Sequence, residues 1–344
     1  MNAANEMIEL EYAAELVEDS SFAFATGSIR VLETRLLAGA QLSRLAEAAD
    51  PAEAWRLLAE AGMTEAAETG WQDYEAALGR ELARLYRYAR SVSPRPEAVA
   101  WLGKRYDFHN LKVFLKAHFL GEAPEEAVFG VGEVPSELIA QAVRTAVWEA
   151  LPEELARAGA EAVVEYEKTK AAQAFDFTVD RAMFAYLKRA SRYPFLQGLV
   201  ELWCDLANLK SALRAKALGK DREFLARALV PPGEVPLDRL LGLLEAPLDE
   251  WPEMLKWTPY ARLIAQVRAQ TQAGAALGEF ERLADNFVLE RLRATRFSLY
   301  GPEPLVAYIL AKELELKNIR IIMVGKINGL PPEALKERLR IGYG

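Results

Sequence analysis

A single cysteine, Cys204, leaves this 344-residue chain without an intrachain disulfide framework. It fits a reducing compartment, with the thiol as a small buried helix residue. Only two histidines are present, His109 and His118, nine positions apart. That spacing turns a helix through about 900° and sets the rings on opposite sides, so no metal site is expected. A phosphate-cradling Gly-x-x-x-x-Gly-Lys-[Ser/Thr] loop is also missing: Gly325-Lys326 is followed by Ile327, and Gly130-x-Gly132 lacks the third glycine of a dinucleotide loop. No nucleophile stands in a recognisable pairing with a base. The chain is therefore read as non-catalytic and without a cofactor.

Long apolar runs are absent too. No stretch approaches the about 18 consecutive apolar residues of a membrane span, and the acidic Glu6, Glu9 and Glu11 replace the basic start of a signal peptide. The expectation is a cytoplasmic chain with no direct membrane insertion. A net charge of -8 supplies no general attraction to nucleic acid or anionic lipid. The short basic groups Lys104–Arg105 and Arg338/Arg340, and the acidic pairs Glu125–Glu126 and Glu153–Glu154, read as solvated helix faces.

What is present is core and helical period. Hydrophobic residues make up 51% and charged residues 27%, a globular composition. Apolar residues recur at three- and four-residue intervals while strand-like alternation is scarce, so the fold class is all-α. Phe280, Leu283, Ala284, Phe287, Val288 and Leu292 trace one such stripe. Prolines at 94 and 96, 124, 152, 231 and 232, 302 and 304, and 331 and 332 fall where the period lapses and predict helix entries and connections.

Three segments of equal length then match one another: DFHNLKVFLKAHFLG from Asp107, DLANLKSALRAKALG from Asp205 and ELKNIRIIMVGKING from Glu315. Aligned on Asn110, Asn208 and Asn318, they share an acid three residues earlier (Asp107, Asp205, Glu315) and a cation two residues later (Lys112, Lys210, Arg320). Small residues follow at Ala117, Ala215 and Gly325, polar ones at His118, Lys216 and Lys326, and closing glycines at Gly121, Gly219 and Gly329. Only seven asparagines occur in the chain, and asparagine is a poor helix former, so three in register mark a repeat. Gly-Glu-Val-Pro follows the first two segments, at Gly132–Pro135 and Gly233–Pro236. The acid, the asparagine and the small residue share one helix face, which predicts a polar pin that finds its hydrogen bonds inside each part. The three cations are candidates for a contact with another protein. Trp251 and Trp257 read as core first and interface second.

The text from Gly301 to Gly344, with Gly301–Pro304, Tyr308, Lys312, the Glu315–Asn318–Arg320 set, Gly325–Lys326 and Leu330–Pro331, resembles the C-terminal signature of the C subunits of vacuolar/archaeal-type (V/A-type) rotary ATPases. Thr258–Pro259–Tyr260 and the helix around Ile29, Arg30, Val31, Leu36 and Leu37 resemble that family as well. The resemblance implies three similar helical domains, near 1–125, 126–230 and 231–344, in a pseudo-threefold funnel. It implies a non-catalytic, single-copy adaptor at the cytoplasmic face of the membrane. Its partners would be the D and F subunits of the rotor shaft on one side and the membrane proteolipid ring on the other. The alternative is an independent helical repeat scaffold that binds partner helices.

Overall fold

The computed structural model describes residues 19–121, 123, 128–269 and 273–343, so Glu6, Glu9, Glu11, Pro124, Glu125 and Glu126 lie outside the described residues. Among the described residues all regular structure is helical, as the period implies. The α-helices are α1 Ala23–Glu33, α2 Gly39–Glu47, α3 Pro51–Glu60, α4 Thr64–Glu68, α5 Tyr74–Val92, α6 Pro96–Leu120, α7 Ser136–Thr145, α8 Glu153–Thr169 and α9 Gln173–Ala190. They continue as α10 Pro194–Ala217, α11 Arg222–Ala228, α12 Leu237–Glu245, α13 Trp251–Met254, α14 Tyr260–Val267, α15 Ala273–Arg293, α16 Glu303–Ile327 and α17 Pro332–Lys336.

Local chemistry sets the ends. The Asp50 and Asp221 carboxylates accept from the amides of Glu53 and Phe224, capping α3 and α11. Pro96, Pro194 and Pro304 each stand fourteen residues ahead of a repeat asparagine, in the first turn of α6, α10 and α16, where a missing N–H costs nothing. The same three helices stop at Gly121, Gly219 and Gly329, whose φ values of 72°, 60° and 67° are left-handed and favour glycine.

The chain divides into two compact units. Unit 1 is Met1–Val99 with Asp285–Gly344, and unit 2 is Ala100–Ala284. Within unit 1, α16 is buried without interruption from Glu303 to Ala311, with α1, α2, α3 and α5 packed against it. A helix apolar on every side can only sit at a centre. Unit 2 is built on α6 and α10. Phe108, Leu111 and Leu115 of α6 share a core with Ile139, Leu155, Phe175 and Val179, while α10 packs against α12. Trp251 is fully buried and Trp257 is 52% exposed, so the two tryptophans divide between core and surface.

Packing tolerances are tight where sequence gave no warning. A Cβ added at Gly159 would lie 2.3 Å from the Trp148 ring. Gly159→Ala is expected to destabilise the chain by about 1–3 kcal/mol through overpacking, measured as a lowered thermal midpoint, whereas Ala at the open Gly242 lowers it far less.

Candidate functional site

The repeat segments form three pins, each fastening a helix to a piece of irregular chain. The second is the most complete. Asp205 and Asn208 on α10 are fully buried. The Asp205 carboxylate accepts from the amides of Gly233 (3.1 Å), Glu234 (2.9 Å) and Val235 (3.1 Å) and from the Tyr260 hydroxyl (3.0 Å). Asn208 accepts from the Val230 amide at 2.9 Å and donates to the Val230 carbonyl at 3.3 Å. The Gly-Glu-Val-Pro loop is thus held by side chains where no helix or sheet satisfies its backbone. Its glycine is obligatory for the approach: a Cβ on Gly233 would lie 2.2 Å from the Glu201 carbonyl oxygen and 2.7 Å from the Asp205 carboxylate.

The first pin repeats this pattern on α6. Asn110 exchanges hydrogen bonds with the backbone of Phe129 (2.8 and 2.9 Å), and Asp107 accepts from the Val134 amide at 3.0 Å. A Cβ on Gly132 would meet the same carboxylate at 2.0 Å. In both pins the amide held by the acid lies five residues beyond the residue held by the asparagine, Val134 after Phe129 and Val235 after Val230.

The third pin, on α16, is closed by the other end of the sequence. Asn318 accepts from the Arg340 amide at 2.9 Å and donates to its carbonyl at 3.1 Å. Glu315 takes its backbone amide from Leu37 at 2.5 Å. Leu37 leads into the short helix α2 as Val134 and Val235 lead into α7 and α12. The polar column behaves alike: Lys216 donates to the Leu244 carbonyl at the end of α12, and Lys326 to the Ala48 carbonyl at the end of α2.

Burial works against each carboxylate and is offset differently in each pin. Asp107 lies 3.4 Å from Lys104, which also pairs with Glu154 at 3.2 Å. Glu315 pairs with Lys312, which lies 3.5 Å from Glu81. Asp205 has the Tyr260 hydroxyl in that role. Desolvation raises the Asp107 and Asp205 pKa values despite their donors. For Lys104 and Lys312 desolvation opposes the charge, but the neighbouring acids outweigh it and hold both pKa values above the ordinary one.

The repeat cations reach across to a neighbouring helix in each case: Lys112 to Asp180 (2.6 Å), Lys210 to Glu281 (2.6 Å) and Arg320 to Glu75 (2.9 Å). They have intrachain partners. Ala215 and Gly325 are buried, whereas His118 is exposed. Lys104 and Glu154, expected on solvated faces, form a half-buried ion pair, and Arg340 is buried beside Asp285 at 2.8 Å. Glu81, Tyr260 and Leu37 were invisible as pin residues in the sequence, because they lie far along the chain from the acid they serve. A signal existed only for Lys104 and Lys312, which both stand three residues before a repeat acid.

None of this geometry offers a reaction. The pin carboxylates are engaged by backbone donors, with Lys104, the Tyr260 hydroxyl or Lys312 beside them. Burial pushes the Cys204 thiol up to about 12, which leaves it inert as a nucleophile. Among the described residues no cluster of His, Cys, Asp or Glu is placed to hold a metal, and no helix is long and apolar enough to cross a membrane. A cleft of about 550 Å³ in unit 1 reaches Glu81, Arg84, Tyr308 and Lys312 beside the third pin.

The model of the ATP synthase (C/AC39) subunit family matches residues 25–338, a span that contains all three repeat segments. The chain belongs to that family. Among its C/AC39 relatives, the V-type sodium ATPase C subunit of Enterococcus hirae is 30% identical over 275 residues, covering 79% of this chain and 83% of that one. The A-type ATP synthase C subunit of Methanocaldococcus jannaschii is 26% identical over 357 residues, covering 94% and 87%. That of Methanothermobacter thermautotrophicus is 28% identical over 350 residues, covering 92% and 87%.

Two outcomes test the pins of this C/AC39 family member. Asn208→Ala orphans both backbone groups of Val230 and is expected to cost about 2–4 kcal/mol, against under about 1 kcal/mol for Lys210→Ala, whose ion pair is exposed; denaturant midpoints decide. The second concerns pH. Lys312 titrates higher folded than unfolded, and burial likewise raises Tyr308 to about 12. The folded state therefore binds more protons in alkali, so stability is retained below the ordinary lysine and tyrosine pKa values and falls as pH rises through the folded ones. Chemical denaturation at about pH 9 and 11 is expected to show that loss, and Lys312→Met to reduce it.

Proposed function

We propose that this chain is the adaptor of the central stalk in a V/A-type rotary ATPase, seated between the D and F subunits of the shaft and the membrane proteolipid ring. It is an accessory, non-catalytic subunit of that complex. One copy serves each complex at the cytoplasmic face, and the coupling is mechanical. The observation that carries the reading is the family match across residues 25–338, supported by relatives named as the C subunits of V-type and A-type enzymes. The pins agree with it physically. A part that passes torque needs stiffness, and three buried acid–asparagine pairs hydrogen-bonded to the chain's own backbone supply stiffness rather than chemistry.

In this proposal the repeats mark three helical parts, near 1–125, 126–230 and 231–344, with the third drawing Leu37–Glu47 from the N-terminal part. A socket with three similar sides would let a narrow helical shaft grip a ring many helices wide.

Detergent co-purification with the full chain as bait tests the proposal. Both shaft proteins and the ring proteolipid are expected in the eluate. A Lys210→Glu, Arg320→Glu variant is expected to retain both, because those cations are engaged with Glu281 and Glu75. Recovery of neither set by a folded bait sinks the proposal, and capture of unrelated helical peptides instead would move the scaffold alternative into its place.

A further inference from the structure

The pins account for the buried polar groups of unit 1 except in one cavity. The cleft of about 550 Å³ beside the third pin is lined by α16, α5, the end of α3 and the link from α1 to α2, and its volume suits a small organic ligand. Leu32, Leu36, Leu58, Met63, Leu85 and Ile319 make much of its wall apolar. Polar groups converge on it as well: Glu81, Arg84 and Tyr88 from α5, Tyr308, Lys312 and Glu315 from α16, and the exposed Arg35 from the α1–α2 link.

The acids in this group are already engaged. Glu81 meets Lys312 with one oxygen, at 3.5 Å, and Arg84 with the other. Glu315 meets Lys312 with one oxygen and the Leu37 amide with the other. Donors of the chain thus hold all four carboxylate oxygens, and the capacity left over is for donating. Tyr308 carries the largest part of it. The residue is 7% exposed and lines the cleft, yet among the described residues none hydrogen-bonds its hydroxyl. A buried hydroxyl without a partner is costly. Burial also pushes this phenol up to about 12, so it stays protonated and able to donate. The Tyr88 hydroxyl and the Arg35 guanidinium likewise have no partner among the described residues. The tyrosine is no part of the repeat: ten residues before the asparagine, where α16 has Tyr308, the first two pin helices have Ala100 and Gly198.

Charge selects the ligand. Arg35, Arg84 and Lys312 against Glu81 and Glu315 leave a single positive charge on the lining, while Glu60 is paired with Arg56. One excess charge matches a monoanion, and a carboxylate offers several accepting lone pairs to hydroxyl and guanidinium donors at once. A phosphate monoester brings about -1.5 to -2 and is matched less well, and an ammonium finds only carboxylates that are already held. We infer that this cleft binds a small monocarboxylate with an apolar body, such as a medium-chain fatty acid, through the Tyr308 hydroxyl and the Arg35 charge. The site goes beyond the stalk reading and stands independently of it. Because the lining comes from the α1–α2 link, α3, α5 and α16 together, an occupant fastens these parts to one another and stabilises the fold around the third pin.

Calorimetric titration of the full chain with octanoate tests the inference, with octanol, octylammonium and inorganic phosphate as parallel probes. Octanoate is expected to bind at one site and to raise the thermal midpoint, and each of the other three to bind at least about tenfold more weakly. Tyr308→Phe removes a hydroxyl that holds nothing in the chain, and Arg35→Gln changes an exposed side chain, so both are expected to keep the wild-type thermal midpoint without octanoate. Each is expected to weaken octanoate binding about tenfold, as the loss of one hydrogen bond to a charged group does. Failure of octanoate to bind the wild-type chain overturns the inference. Equal binding by the wild type and both variants overturns it too, because the acid then sits elsewhere. Octanol binding as tightly as octanoate would make the cleft an apolar site, and tighter binding of octylammonium or phosphate would make it a site for another charge; either result contradicts the inference. All of these outcomes leave the stalk reading intact, since co-purification tests that separately.

Discussion

Everything else in this fold depends on how a buried carboxylate and amide, three residues apart on a helix, are compensated. Leaving either without partners costs about 1–3 kcal/mol, so each pair must collect its hydrogen bonds from nearby chain. The backbone that supplies them is irregular, the loops at Phe129–Val134 and Val230–Val235 and the Arg340 and Leu37 segments. The requirement is mutual. A loop between helices has amides with no internal partner, and the pin helix has acceptors with no water. Each need answers the other, and this fixes where the chain may run after every pin helix.

That mutual need explains much that is otherwise arbitrary. Gly132 and Gly233 are glycine because the loop passes within contact distance of the acid it serves. The third pin binds the N-terminal Leu37 amide, so unit 1 gathers segments from both ends of the sequence. The cations Lys112, Lys210 and Arg320 then tie each pin helix to a neighbour, Asp180 on α9, Glu281 on α15 and Glu75 on α5. These partly exposed pairs add orientation more than energy.

Helical class, the repeat and its registration on three asparagines were all legible in the sequence, because each is a local pattern of period or spacing. The terminating glycines were legible for the same reason. What the pins bind was not. Tyr260 lies fifty-five residues from Asp205, and Leu37 two hundred and seventy-eight from Glu315, and nothing in local spacing encodes such a meeting. Lys104 and Glu154 were misplaced on solvated faces because a single charged residue does not announce that it will be half-buried; the ion pair that permits it exists only after folding.

Side chains, and not secondary structure, hold the loops that follow the pins. Native-state hydrogen exchange of the full chain tests it most directly. The Gly233, Glu234 and Val235 amides, all in irregular backbone, are expected to exchange as slowly as the interior of α10. Substituting Asp205 by Ala should release those three together while α10 itself stays protected. Exchange of the three in the wild-type chain at the rate of exposed loops would contradict the account.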